Sequence, residues 1–410
     1  MCQILPRPAF DVGDILRVHG PAYAARHPVS AEQAQVLRRL AACRTAALGG
    51  HVDACDGCGF TRTSYNSCRD RHCPKCQGAR RAAWLEARLE RLLPVPYFHV
   101  VFTLPDLLYP LLLHNQRRLY DLLFHAAAAT LLTLAADPGR LGAQVGFTAL
   151  LHTWGQNLLF HPHLHCVVTG GGLSPDGQRW VACKPHFFLP VKVLGKLFRG
   201  KFLAGVKEAY NAGLLTLGGG AASLADPKAF QKLLDACYKR DWVVYAKPPF
   251  GGPEHVFRYL GRYSHRVALS NSRLRSLDDT HVGFEWKDYA DGHRVKVMRL
   301  AIDEFIRRFL LHVLPKGFVR IRHYGLLASV NVATKLEHCR RLLGATNHTT
   351  VLRPVQTWLA RVLEWLGPEP LRCPVCEGPL TRRIVPRPAP ADGSASPRRH
   401  APSPTAADSS

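Results

Sequence analysis

HPHLH, His161 to His165, follows ALLHTWGQNLLF (Ala149–Phe160) and runs into CVVTGGG (Cys166–Gly172). Apolar residues on both sides and a closing glycine cluster predict a strand that enters a turn. Side chains on a strand alternate between faces, so His163 and His165 point the same way while Leu164 faces the core. Two imidazoles on one side of a rigid strand supply two ligands to one metal ion and leave positions open for a substrate. A lone histidine would read as a hydrogen-bonding group in a half-buried strand. Three at alternating positions, His161, His163 and His165, read as a metal site.

The surroundings supply a sheet for this strand. Gln144–Trp154 reads as a preceding strand, and the short QNLLFHP connection makes the two an antiparallel pair. YFHVVFTLP (Tyr97–Pro105) alternates and is rich in aromatic and β-branched residues, hence another strand. DWVVYAKPPFGG (Asp241–Gly252) is a strand with a turn behind it, Val282–Leu300 a hairpin across YADG, and FVRIRHYG (Phe318–Gly325) a short strand. Leu111–Leu134, Pro190–Leu214 and Ile302–Val313 read as helices, the second with Lys192, Lys196, Arg199, Lys201 and Lys207 on its exposed side. The expected fold class is α+β: a central antiparallel sheet flanked by helices, with a zinc-binding module N-terminal to it.

The bulk composition is that of an ordinary globular chain, with 47% hydrophobic and 20% charged residues over 410 positions. The charge balance is not ordinary. Lys and Arg number 54 against 30 acidic residues, a formal +24. Such an excess is the electrostatic footprint of a protein that meets a polyanion, nucleic acid first among them. MCQILPRPAF lacks the basic start and apolar core of a signal peptide, and the longest apolar stretch, Leu122–Ala135, is interrupted by His125 and falls short of the roughly 20 residues of a membrane span. The expectation is a soluble cytoplasmic protein with no membrane contact.

Six of the 13 cysteines fall in three C-x-x-C pairs, which favours metal in a reducing compartment over disulfides. Ser30 and Gln33 predict a capping box for a helix from Ala31 to about Leu48, stopped at Gly49-Gly50. Beyond it, Cys55, Cys58, Cys73 and Cys76 form C-x2-C-x14-C-x2-C, two knuckles expected to hold one structural zinc. Cys68, His72 and His51 are further candidates, to replace a knuckle cysteine or to hold a second ion. Arg69, Arg71 and Lys75 stand beside the knuckles as candidate phosphate contacts. Cys373 and Cys376 make half of another zinc site, which Cys339 and His338 would complete. From Arg383 onward the chain is Pro, Ala and Ser with little apolar bulk, and is expected to be disordered.

Pro253–Arg273, PEHVFRYLGRYSHRVALSNSR, is expected to be helical. Tyr259 and Tyr263 are four apart and share a face, and Arg258, Arg262 and Arg266 line an adjacent stripe suited to phosphate. The order FTLP, HPHLH, Y-x-x-x-Y is similar to the motifs of HUH (His-hydrophobic-His) endonucleases. With LGGH…C..CG…YNSCRDRHCPKCQ, LLPVPYFHVVFTLP, LHTWGQNLLFHPHLH, GGGLS and YLGRYSHRVALS, the chain from about residue 15 to 330 resembles the rolling-circle transposases of the insertion sequence 91 family. The resemblance implies single-stranded DNA as substrate, a 5′-phosphotyrosine intermediate on Tyr259 or Tyr263, and magnesium or manganese on His163 and His165. It also implies a polar third ligand, with Gln156 preferred over His161 and His152, and no nucleotide cofactor. A plasmid or phage replication initiator of the same chemistry is the nearest rival, and a non-enzymatic zinc-binding DNA regulator the rival from another class. The domains expected are 1–96 (zinc and DNA binding), 97–330 (catalytic), 331–382 (helical, with the Cys373/Cys376 pair) and 383–410 (tail).

Overall fold

The computed structural model describes residues 10–247, 261, 268–344 and 372–388. The chain begins with helices α1 (Val12–Arg26) and α2 (Ala31–Ala41), strands β1 (Gly50–Cys55) and β2 (Thr61–Tyr65), and helix α3 (Gly78–Leu89). Next come β3 (Tyr97–Thr103), α4 (Tyr109–His114), α5 (Gln116–Ala136), β4 (Gly146–Trp154), β5 (Phe160–Thr169), β6 (Gly171–Leu173) and β7 (Trp180–Ala182). Then follow α6 (Val191–Asn211), α7 (Pro227–Lys239), β8 (Val244–Lys247), β9 (Leu274–Leu277), β10 (His281–Asp288) and β11 (Arg294–Ala301). Helix α8 (Ile302–Leu310), β12 (Ile321–Gly325), α9 (Glu337–Leu342) and β13 (Leu380–Val385) complete the described elements.

HPHLH lies in the middle strand of a five-stranded antiparallel sheet of order β12-β4-β5-β3-β8. Register fixes which side chains share a face. His163 pairs with Thr103 on one side and His152 on the other, and His165 pairs with Val101 and Leu150. The opposite face carries Leu164, Cys166, Val168, Phe98, Phe102, Phe147 and Leu151, all buried under α5, α6 and α7 in the main core. Leu164 is fully buried there, so a slip of one residue in β5 would exchange it for an imidazole. The fold is the α+β arrangement that the alternation predicted.

α5 is long and apolar enough by composition to cross a membrane, but Leu119, Leu123, Phe124, Ala127 and Leu131 are spent in the core. The long helix read from Leu111 to Leu134 is broken at Asn115, whose side chain donates to the carbonyls of Leu111 and Thr216 and accepts from the Thr216 N–H. Those three bonds replace one turn of helix ladder. A second core joins α1, α2 and α8 to the β9-β10-β11 sheet through Leu16, Leu37, Phe284, Phe305 and Phe309.

Two boundaries differ from the sequence reading. α2 has the predicted Ser30–Gln33 capping box but ends at Ala41, seven residues early, because Arg44 takes a left-handed backbone (φ 60°) beside Cys43. The tail expected from Arg383 instead starts within β13, which pairs with β1 from Gly50↔Val385 to Cys55↔Leu380 in a three-stranded sheet of order β13-β1-β2. The pairing partner is more than 300 residues upstream, so local composition carried no sign of it.

Candidate functional site

Three imidazoles meet on the exposed-side face of the central sheet. The ligand atoms of His152, His163 and His165 lie within 4.8 Å of one another. His163 Nε2 and His165 Nε2 are 3.0 Å apart. Two nitrogens each about 2.1 Å from one cation, at a right angle, are about 3.0 Å apart, so this spacing fits shared coordination. His163 Nδ1 donates to the His161 carbonyl at 2.7 Å, which leaves Nε2 with its lone pair toward the centre. On the far side of His165, Nδ1 meets His99 Nε2 at 2.8 Å, with the two rings stacked. His99 thus holds the plane of His165, whose Nε2 keeps its lone pair when Nδ1 donates to His99. Burial pulls the pKa of His163 down to about 3 and of His99 to about 4, and holds His152 and His165 well below the ordinary imidazole value. Neutral imidazole is the ligand form, so the cluster is ready for a cation at physiological pH.

The histidines floor a cleft of about 640 Å³ between the β4–β5 turn and the tip of the β10–β11 hairpin, with Trp286, Asp288 and Tyr289 on the facing wall. Gln156 lines the same cleft, with its amide 3.5 Å from Tyr289 Oη, and His152 is the third member of the histidine group. Register sets their places: His152 pairs directly with His163, and Gln156 sits past a bulge and the end of β4. His161 is turned to Tyr109 Oη at 2.9 Å. Tyr259, Tyr263, Arg258, Arg262 and Arg266 lie outside the described residues. Gly261, midway between the tyrosines, is buried, and a Cβ there would come 3.8 Å from Trp84 and Leu85 of α3. Those two side chains pack with Leu150 and Val167, on the same sheet face as His163 and His165.

The cysteines form two quartets, and neither is the one read from spacing. Cys73 and Cys76 group with Cys43 and Cys68, whereas Cys55 and Cys58 group with Cys373 and Cys376. The C-x2-C-x14-C-x2-C pattern is thereby a correction: its two knuckles belong to different sites, because β2 and the turn after it carry them apart. Cys68 is a member, as anticipated. His72 is not: its Nδ1 bonds Asp70 at 2.8 Å and its Nε2 accepts the Leu314 N–H at 3.2 Å. His51 is a β1 residue paired with Ser64 and Ile384, and Cys339 and His338 are in neither quartet. Cys43 was missed altogether, inside a stretch that reads as helix.

Beside the first quartet runs a groove of about 1120 Å³ with Arg39, Arg44, Arg69, Lys75, Arg80 and Arg387 along it. Arg69 and Lys75 therefore stand where the sequence placed them, Lys75 also paired with Asp11 at 2.5 Å. Arg71 does not: it is half-buried and donates to the Phe318 carbonyl.

Comparison with known proteins agrees with this division. A family model described as "Putative transposase" matches residues 146–334, which span β4, β5 and the hairpin sheet, and one described as "Transposase zinc-binding domain" matches residues 15–104. The chain is 53% identical over 372 residues to the "Putative transposase y4qJ" of Sinorhizobium fredii, covering 89% of this chain and 92% of that protein. It is 29% identical over 355 residues to the transposase for insertion sequence element IS801 of Pseudomonas savastanoi pv. phaseolicola, covering 84% and 82%. No solved structure matches the chain significantly. With both domains matched in order and one relative more than half identical along nearly all its length, the chain belongs to the insertion sequence 91 family of transposases.

Proposed function

We propose that the chain nicks and rejoins single-stranded DNA through a tyrosine nucleophile, Tyr259 or Tyr263, at the histidine cleft. The observation that carries this reading is the donor group His152, His163 and His165, buried to half-buried, with pKa values held low by burial, lining an open cleft. These three residues would hold a divalent cation. Three imidazoles are a borderline donor set, which favours manganese over magnesium of the two ions the resemblance implies. When bound, such an ion supplies Lewis-acid polarisation of the scissile phosphate.

The protein's own groups do the rest. The phenol oxygen attacks phosphorus, the P–O3′ bond breaks, and the phenol proton passes to the departing 3′ oxygen. The products are a 5′-phosphotyrosine and a free 3′-hydroxyl. Attack by a 3′-hydroxyl on the phosphotyrosine reverses the balance, restores a phosphodiester and frees the tyrosine. The bond energy stays in the linkage, so no nucleotide cofactor is required. His99 acts as a positioning residue by fixing His165. Tyr109 is a poor substitute nucleophile, since burial raises its pKa to about 12 and its hydroxyl is engaged by His161. Single-stranded DNA would run from the cleft across the basic surface, whose arginines and lysines neutralise phosphates.

The test is nicking of end-labelled single strands with manganese. We expect cleavage that chelation abolishes and that His163→Ala lowers on the order of 10³-fold with thermal unfolding little changed. Cleavage that continues in excess chelator overturns the metal assignment.

A further inference from the structure

We infer that Cys55, Cys58, Cys373 and Cys376 form a second structural zinc site, separate from Cys43–Cys68–Cys73–Cys76, that clips the C-terminal segment onto the N-terminal module. The zinc-binding family match ends at residue 104, so it contains all of the first quartet and only half of this one. The two sites are built from one kind of part, but only the second joins distant stretches of chain: Cys55 Sγ lies 3.4 Å from Cys376 Sγ and Cys58 Sγ 3.4 Å from Cys373 Sγ, across 321 and 315 residues. All four sulfurs fall within 4.8 Å. Sulfurs about 2.3 Å from one tetrahedral zinc sit about 3.8 Å apart, so the quartet has the right size without rearrangement.

The backbone around the sulfurs is built for a metal. Each C-x-x-C pair sits in the same knuckle. The Cys55 N–H donates to the Phe60 carbonyl at 2.9 Å and the Cys373 N–H to the Gly378 carbonyl at 2.8 Å. The Gly59 N–H returns to Cys55 and the Glu377 N–H to Cys373, at 3.0 and 2.9 Å. Gly59 and Glu377 both take a left-handed backbone, φ 72° and 59°. Glutamate seldom adopts that conformation, so the second knuckle holds a strained residue where the first has glycine. An amide also points at sulfur, Val375 N–H to Cys373 Sγ at 3.4 Å, as expected for a thiolate.

Packing alone does not explain the docking. The apolar cluster at this corner consists of Cys55, Cys373 and Leu380, with Phe60 partly buried against it. A three-stranded sheet with so small a core needs a staple. Charge supplies only the register: the Asp53 carboxylate, nearly fully buried, lies between Arg62 at 3.0 Å and Arg382 at 2.7 Å, one from each neighbouring strand. Docking also carries Arg387 to the basic groove, where its backbone lies against Gly49.

Zinc content decides the matter. The full chain, purified under reducing conditions and dialysed against metal-free buffer, should hold two zinc ions per molecule. Cys373→Ser with Cys376→Ser should hold one, and Cys376→His, which keeps a Cys3His donor set, should hold two. Cobalt substitution should give thiolate charge-transfer absorption that falls by about half in the double serine variant. One zinc in the wild type, or two in the double serine variant, overturns the site. If the double variant binds none because it fails to fold, Cys376→His still decides: two zinc ions in the wild type, with either two or one in this variant, support the quartet, and one zinc ion in the wild type and in Cys376→His alike overturns it.

Discussion

The histidine centre and the second cysteine quartet are both metal-ready, yet they are stabilised in opposite ways. The three histidines come from two adjacent strands, residues 152 to 165, on a sheet whose other face is a large core of Leu164, Phe102, Phe147 and Phe198. The quartet joins strands from opposite ends of the chain and has almost no core beneath it. The first is a site carried by a fold, which would keep its shape without an ion. The second is a fold carried by a site. Catalytic ligands need a scaffold indifferent to whether the ion is bound, whereas a structural ion contributes folding energy itself.

This contrast can be broken where the expected effects are largest. Tyr259→Phe with Tyr263→Phe should lower covalent capture of single-stranded DNA on the order of 10⁴-fold while leaving binding in a gel-shift assay. Next, Leu164→Ala should cost about 2–5 kcal/mol in denaturant unfolding, as expected for a fully buried leucine in a large core. Phe60→Ala, in the small cluster, should cost well under half of that while zinc is present. Equal costs would erase the distinction between the two regions. His99→Ala should weaken manganese affinity about 10- to 100-fold, read by isothermal titration, through loss of the bond to His165 Nδ1.

Acid should also weaken the sheet that carries the histidine centre. Burial lowers the pKa of His312 to about 4 and of His323 to about 3. The unfolded chain takes up these protons below its ordinary pKa near 6.5, whereas the folded chain does not. The stability that depends on their neutrality is therefore complete above about pH 6.5 and is lost as pH falls toward 4 and 3. The midpoint of thermal unfolding should decline across that window, and His323→Gln should flatten the decline. A midpoint independent of pH between 6.5 and 4 would show that these rings do not stay neutral.

What could be read from the sequence follows the same division. β3 was legible from its alternation, β4 and β5 from apolar runs closed by a glycine cluster and joined by the short QNLLFHP turn, and the β10–β11 hairpin from its YADG turn. His152 was within reach of the same logic, since the hairpin register pairs it with His163. His99 was not, because its contact with His165 runs diagonally across strands whose register local sequence does not set. The cysteine partnerships were the least legible. Spacing suggested one site from Cys55, Cys58, Cys73 and Cys76 because nearby C-x-x-C pairs look alike whichever quartet they join. Cys43 hid in RRLAACRTAAL, whose helix propensity is overridden where Arg44 turns left-handed. β13 hid in a Pro- and Arg-rich stretch whose pairing partner is β1.

Attack on DNA by Tyr259 or Tyr263 is the step on which the proposed function stands. Its most direct test is to trap the adduct formed with single-stranded DNA and manganese, digest the protein, and sequence the peptide that carries the nucleotide. Phosphotyrosine is expected at Tyr259 or Tyr263. An adduct on Tyr289, the exposed tyrosine on the cleft's facing wall, or no adduct during active nicking, would contradict it.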